Sequence, residues 1–562
     1  HGRAGCACRP TCMSSSRPSD PETSENADAG TSTLAPLTLP VFRMLWFTWL
    51  AANISMWMND VASAWLMTSL TTSPVLVALV QTASTLPVFL LGLPSGALAD
   101  ILDRKRFFLF TQLWVAMVAL VLCATVFAGW MSPLLLLGMT FANGIGLALR
   151  WPVFSAIVPE LVPRHQLPAA LALNGVSMNA SRIVGPLVAG ALIASLGSAY
   201  VFMLNALLAI GAAVVISRWK RAPTPHPLGR EKLISAMRVG MQFMAQSAHL
   251  QGVLVRICLF FFHSTALIAL LPLVARGLPG GDARTFTLLL AAMGSGAIVA
   301  ALNMQRLRRH WPRDGLVFRG AALQAIAMVA VAFAPNTTVA ALAMVVAGMA
   351  WITTANTLSV SAQFALPDWV RARGMSMYQM AIMGASASGA AIWGQVASHY
   401  AIRGSLVAAA ITGVVAMLLA NRWMAASQTE EDLTPTRQFK VPQPQQPPGA
   451  GRIVLTIEYQ IDPARAEEFK ELMRESRRSR LRHGALSWEL LHDIHNPGLY
   501  VEQIVDESWT EHLRRFDRVT TADANLRDRK HAFHLGQEPP VVKRRVIEPV
   551  HGSDHARTMP DG

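Results

Sequence analysis

Twelve hydrophobic windows recur along the first three quarters of the chain, each about as long as the 20 residues that a helix needs to cross a bilayer. They cover residues 44–66, 74–98, 107–128, 133–158, 167–196 and 201–216, then 250–275, 286–302, 317–334, 338–364, 374–397 and 401–420. Backbone amides in hydrocarbon must be satisfied within their own segment, so this pattern leaves helices as the only plausible spans. Composition agrees: 52% of the 562 residues are hydrophobic and only 15% are charged, too few to cover a soluble protein of this size.

The connections alternate in charge. One set holds Arg104, Lys105 and Arg106; Arg164; Arg218, Lys220, Arg221, Arg230, Lys232 and Arg238; Arg306, Arg308, Arg309 and Arg313; Arg371 and Arg373. The opposite set holds only Arg276, Arg284 and Arg403. Lys and Arg accumulate on the cytoplasmic side, so both termini are expected in the cytoplasm of a multi-pass inner- or plasma-membrane protein. The net charge of +14 is assigned to this orientation and not to nucleic-acid binding.

A polar break rich in Pro223, Pro225 and Pro227 divides six windows from six. At a constant offset of 204 residues, Pro163 falls on Pro367, Gly185 on Gly389, Gly190 on Gly394, Gly92 on Gly296, and Arg104 on Arg308. One offset serving a whole half points to duplication. The expected fold is an all-α polytopic membrane protein of twelve helices in two six-helix repeats. The expected divisions are a disordered tail (1–40), a first bundle (41–216), a cytoplasmic loop (217–249), a second bundle (250–424), a Pro- and Gln-rich linker (425–451), a soluble domain (452–550) and a disordered end (551–562).

In the soluble part, residues 453–459 alternate as a strand, 463–481 have helical spacing, and 488–493 and 500–505 read as strands joined by a turn at Asn496, Pro497 and Gly498. Ser508 can cap a helix to Phe516 with Glu511 in the capping-box position, and 541–547 reads as a last strand. The order βαββαβ is that of a small α+β, ferredoxin-like domain. Cys6, Cys8 and Cys12 precede Met13, the first methionine and the expected start; Cys123 and Cys258 are expected to pack in the spans. No metal, cofactor or Walker phosphate loop is expected.

Charge inside a span is costly and marks candidate function. In the first half these residues are Asp60, Arg150 and Arg182, with Asn53 and Asn179 beside them; in the second they are Arg256 and His263. Asp60 and Arg182 lie at similar depth, which suggests a pair made in one state and exchanged for a proton or substrate in another. His263 is weighed against a packing role. Between the second and third windows, Gly96, Asp100, Arg104 and Lys105 mark a tight polar hinge taken as a gating loop. Gly185, Pro186 and Gly190 place small residues and a proline in the fifth window, where helices can cross closely.

The stretch Gly96-Ala-Leu-Ala-Asp100 followed by Arg104, Lys105 and Arg106 resembles the loop between helices two and three of major facilitator superfamily transporters, although Ile101 and Asp103 depart from its usual pattern. Gly185-Pro186 with Gly190 partly matches a motif of proton-coupled antiporters, and Arg150 resembles an arginine that many superfamily exporters carry. Trp57-Met-Asn-Asp60, Leu93-Pro-Ser-Gly96 and Pro159-Glu-Leu-Val-Pro163 resemble the enterobactin-exporter-like branch, often labelled transmembrane secretion effectors. That resemblance covers roughly residues 40–535. It implies proton-driven efflux of a small organic molecule such as a siderophore or drug by alternating access, and a transporter, not an enzyme. An importer of the same fold is the alternative. The tail resembles antibiotic-biosynthesis-monooxygenase domains, which implies a homodimer through its sheet or, as a second alternative, an active enzyme domain.

Overall fold

The computed structural model describes residues 34–219, 233–424 and 451–548. The expectations for the terminal tails, for Cys6, Cys8 and Cys12, and for most of the linker lie outside them. The first bundle comprises α1 (Pro40–Leu70), α2 (Pro74–Ile101), α3 (Arg104–Phe127), α4 (Pro133–Leu161), α5 (Leu167–Ser195) and α6 (Ser198–Arg218). Then come α7 (Leu233–Gln246), α8 (Ala248–Gly277), α9 (Ala283–His310), α10 (Arg313–Ala332), α11 (Thr337–Phe364) and α12 (Asp368–Met424). Among the described residues, ten helices are long and apolar enough to cross a membrane. Helix α1 is not among the ten; Asn53, Asn59, Asp60 and three serines dilute its hydropathy. Helix α12 counts once although it folds back on itself. Its backbone leaves helical geometry at Tyr400 and Ala401, where Ala401 has φ of 60°, and Ser405 donates to the Trp393 carbonyl at 2.7 Å. In a straight helix those residues would stand about 18 Å apart.

Three points differ from the sequence expectation. Residues 96–101 are helical, so the connection from α2 to α3 is only Leu102 and Asp103, and the Asp103 side chain caps α3 by accepting from the Arg106 amide at 2.8 Å. The central segment taken as a loop contains the amphipathic α7, whose Val239 and Phe243, four apart, are both buried. In the soluble domain a second helix follows the first, giving β1 (Arg452–Gln460), α13 (Ala466–Arg482), β2 (Ser487–His492), β3 (Leu499–Asp506), α14 (Trp509–Asp517), α15 (Thr521–His531) and β4 (Val541–Ile547). The four strands form an antiparallel sheet in the order β2-β3-β1-β4.

The offset glycines make equivalent crossings in the two halves. A Cβ at Gly185 of α5 would lie under 3.0 Å from Trp57 of α1, and one at Gly389 of α12 would lie equally close to the Phe262 backbone of α8. At Gly190 it would strike Thr287 of α9, and at Gly394 it would strike Ala78 of α2. The first pair of contacts is internal to each bundle and the second joins the bundles. Without a hydrophobic drive between helices in lipid, such close packing is what holds them.

The cores are unequal at the two ends. Away from the arginine-rich connections, one continuous core includes Met58, Val77, Leu122 and Phe202 of the first bundle with Leu267, Phe286, Met344 and Trp393 of the second. At the arginine-rich end the core splits. Phe42, Trp49, Phe108, Phe154 and Ile216 form one cluster within the first bundle, and Phe243, Leu250, Phe260, Leu366 and Tyr378 form another within the second. The bundles are therefore welded at one end and separately packed at the other.

The soluble domain has a charged centre. Glu502 on β3 is fully buried and accepts from Ser476 (2.7 Å), Trp488 Nε1 (2.9 Å) and Lys530 Nζ (3.1 Å), with Arg480 at 3.4 Å. Burial alone would raise its pKa, but Lys530 and Arg480, with the Trp488 and Ser476 hydrogen bonds, hold it far below the usual carboxylate range. Burial meanwhile lowers Lys530 to about 8 against the pull of Glu502.

Two outcomes follow from this architecture. Gly190→Leu should prevent closure of the welded end, so spin labels at Leu196→Cys and Pro279→Cys should move apart by electron-electron resonance in a background lacking the native cysteines; an unchanged distance contradicts the crossing described. Glu502→Gln, which strands Lys530, should destabilise the soluble domain of the full-length protein by about 3 kcal/mol, and Glu502→Gln with Lys530→Met should recover most of it. Because the folded-state value of Glu502 is depressed, its contribution is present above the unfolded value of 4.5 and is lost as pH falls below it, so the single variant should also flatten the acid limb of a pH–stability profile.

Candidate functional site

The intramembrane polar groups gather in the first bundle, along the face of α1 that meets α2, α4, α5 and α6. Asn205 of α6 donates to Asn59 Oδ1 at 3.2 Å and accepts from Ser55, clamping α6 onto α1. One residue on, Asp60 Oδ1 accepts from Ser84 of α2 at 3.1 Å. Among the described residues no cation lies within 4.0 Å of this carboxyl group.

Arg182 is not its partner here. Its guanidinium lies 5.4 Å over the ring of Trp57, three residues before Asp60, with Nε buried and without an acceptor. Arg182 and Gly185 sit on one face of α5, and both address Trp57, so the glycine crossing delivers the arginine to α1. Asn179 turns back to its own helix, donating to the Gly175 carbonyl at 2.9 Å. Pro186 lies inside α5 beside that crossing.

Arg150 of α4 is 2% exposed. Nη1 donates to the Ala52 carbonyl at 3.3 Å and the guanidinium lies 5.3 Å over Trp49, whose ring stacks on Phe154. Nε and Nη2 have no hydrogen-bond partner among the described residues, and neither amide atom of the fully buried Asn53 has one.

The second bundle handles its charge differently. Arg256 pairs with Asp314 in the first turn of α10 at 2.8 Å, which makes it a bundle tie. His263 bonds through Nδ1 to the Leu259 carbonyl at 2.7 Å and packs on Trp393 and against Gly413. At the welded end Arg276 lies 5.0 Å over Trp65, whose ring stacks on Phe286, so α1, α8 and α9 close together there.

Around the short α2–α3 connection, Arg104 binds Glu160 at the end of α4 at 2.5 Å, and Lys105 donates to the Ser217 carbonyl at the end of α6 at 2.9 Å. Gly96 and Asp100 belong to the last turns of α2; their side chains lie outside what is described. Neighbouring charges therefore pin three helix ends of the first bundle.

The soluble domain docks on the other half. Arg238 of α7 pairs with Glu507 at 2.7 Å, Gln242 donates to the Ala485 carbonyl at 3.2 Å, and Arg482 lies 5.9 Å over Phe243. Arg518 lies 5.0 Å over Trp369 at the start of α12, and His483 packs against the same ring. Gly484, with φ of 104°, brings its backbone against Val239 where a side chain would collide. Burial holds His483 well below its ordinary pKa, against the pull of Asp523 at 3.4 Å. The sequence offered little to find this interface, because Val239 and Phe243 are separated from their partners by more than 200 residues.

Among curated relatives, an uncharacterised MFS-type transporter of Bacillus subtilis is 26% identical over 247 residues, 42% of this chain and 56% of that protein. Macrolide efflux protein A of Streptococcus pyogenes is 25% identical over 269 residues, 46% of this chain and 65% of the relative. Enterobactin exporter EntS of Salmonella typhimurium is 26% identical over 280 residues, 50% and 67%. The alignments thus span from just over half to two thirds of these relatives. In fold, the chain is similar to an inward-facing, unoccupied crystal structure of a bacterial homologue of the human lysosomal transporter Spinster, with a TM-score of 0.56 and 15% identity over 69% of this chain and 96% of that one. The family model for transmembrane secretion effectors matches residues 31–551, soluble domain included. The chain belongs to that family of major facilitator superfamily transporters.

Proposed function

We propose that the chain is a proton-coupled exporter of a small organic molecule, working by alternating access between two six-helix bundles. The observation that carries this reading is the unequal core: one shared cluster at the end closed by Trp65, Phe286 and Arg276, and two separate clusters at the arginine-rich end. With the arginine-rich end in the cytoplasm, this is an inward-facing arrangement. Rocking about the crossings at Gly190 and Gly394 would split the shared core and join the separate ones. The fold-back in α12 and the length of α1 bring the spans to twelve and leave both termini in the cytoplasm of a cell-membrane protein.

Asp60 is the proton carrier in this reading, bonded to Ser84 now and to Arg182 in the alternate state. Efflux is favoured by the named macrolide and enterobactin relatives, which locate the cargo class only broadly. The strand order β2-β3-β1-β4 supports a ferredoxin-like tail. Its ties to α7 and Trp369 favour a module that travels with the second bundle over an enzyme, and its open sheet face leaves room for a second copy.

Asp60→Asn should abolish cargo flux driven by an imposed pH gradient in proteoliposomes while the protein still inserts and binds cargo; undiminished flux would remove Asp60 from coupling. Val239→Lys should undock the tail, seen as faster hydrogen exchange in α7 with exchange in β1 and β3 unchanged. If exchange in α7 stays slow, the tail does not ride on the second bundle.

A further inference from the structure

The two bundles neutralise their internal arginines by different means. In the second, Arg256 has Asp314. In the first, Arg150 is 2% exposed, and among the described residues it has a single carbonyl acceptor and no carboxylate within 4.0 Å. A guanidinium is always charged and presents its donors as a planar fork. Moving such an ion out of water costs several kcal/mol even after local relaxation. One carbonyl hydrogen bond and one aromatic face each return about 1–3 kcal/mol, which leaves the charge undercompensated.

The free donors have a direction. Nη1 is anchored on Ala52 and the flat side of the group rests on Trp49, so Nε and Nη2, the edge able to take two oxygens at once, are the atoms without acceptors. Asn53 adjoins the Ala52 anchor, is fully buried, and has an unpartnered amide donor of its own. Trp49 and Asn53 are four apart and share a face of α1. Arg182, higher in the same bundle, also lacks a carboxylate within 4.0 Å among the described residues.

We propose that Arg150, with Asn53, forms an anion-recognition site in the first bundle that takes the carboxylate, or a like-charged group, of an organic cargo. This rests on the transport reading for the word cargo but not for the site. It separates anionic from cationic or neutral molecules among the candidates for export. A cationic amine would meet a buried like charge, and a neutral molecule would leave the arginine as it is.

Trp49 gives an optical readout that does not require transport. In the purified full-length protein, tryptophan emission is titrated with iodide, neutral acrylamide and caesium, and Trp49→Phe identifies the Trp49 share. The expected result is a saturable iodide component from Trp49, weakened at least tenfold in Arg150→Gln and largely kept in Arg150→Lys, with acrylamide and caesium quenching unchanged. Because Arg150→Gln could disturb folding, its melting curve is compared with that of Arg150→Lys. Iodide quenching that is unsaturable, or equal in the Gln and Lys variants, overturns the site. In proteoliposomes under a pH gradient, carboxyfluorescein should move faster than rhodamine 123, with the preference lost in Arg150→Gln; a preference for the cation in the unsubstituted protein overturns the cargo class. A saturable, Arg150-dependent iodide signal with neither dye moving supports the site and counts against the transport reading.

Discussion

A charge held in hydrocarbon has to be matched by something, and the way each charge is matched distinguishes the two halves of this molecule. The second bundle closes its account internally: Arg256 reaches Asp314 at a helix start, and His263 bonds to its own helix. The first bundle leaves Asp60 with a hydroxyl, Arg182 with an indole face and Arg150 with one carbonyl. None of these contacts satisfies the ion it holds. Groups left in that condition stay separate only if the fold around them is stiff enough to keep them apart.

The stiffness comes from close crossings placed by glycine. Gly185 brings α5 onto α1 so tightly that Arg182 lies beside Trp57, three residues from Asp60, yet does not reach the acid. The repeat-related Gly389 sets the same crossing in the second bundle without an arginine to deliver. Crossings that join the bundles lie at Gly190 and Gly394, on the same two helices, so the helices that position the site are also those on which the bundles bear. The ties of Arg104 and Lys105 to the ends of α4 and α6 keep the first bundle a rigid body.

Much of the fold was legible in the sequence because its determinants are local. Window length located the long helices, with ends up to about eight residues off, and the 204-residue offset found glycines that make equivalent crossings. Within the tail, the alternation in 453–459 and the Ser508 cap located β1 and α14, the latter through a 3.2 Å bond to the Glu511 amide. What failed was contextual. Helix α7 looked like a polar loop because its buried Val239 and Phe243 are covered partly by the second bundle and partly by a domain more than 200 positions away. The segment 96–101 looked like a hinge because glycine and aspartate usually mark turns, yet α2 continues through it. The pairing of Arg256 was hidden because its acid, Asp314, sits in another helix. Asp60, Arg150 and Arg182 were found by composition alone, but their surroundings, Ser84, Trp49 and Trp57, follow from helix rotation, which a single apolar segment does not encode.

The placement of the soluble domain fits this difference between the halves. It rests on α7 and Trp369, beside the second bundle, through contacts that mix buried apolar groups with arginines lying over aromatic rings. Its interior sets an apolar cluster around Ile457, Phe469, Met473 and Ile504 beside ion pairs around Glu502 and Asp523, each satisfied by several donors. A buried ionic core of this kind contributes little net stability compared with apolar packing, but it tolerates few alternative arrangements. A domain so constrained adds mass and shape to the bundle that has no unmatched charge. The contacts that Glu507, Ala485 and Arg518 make with the helices fall on α7 and the start of α12, and not on the bundle whose buried arginines lack carboxylates.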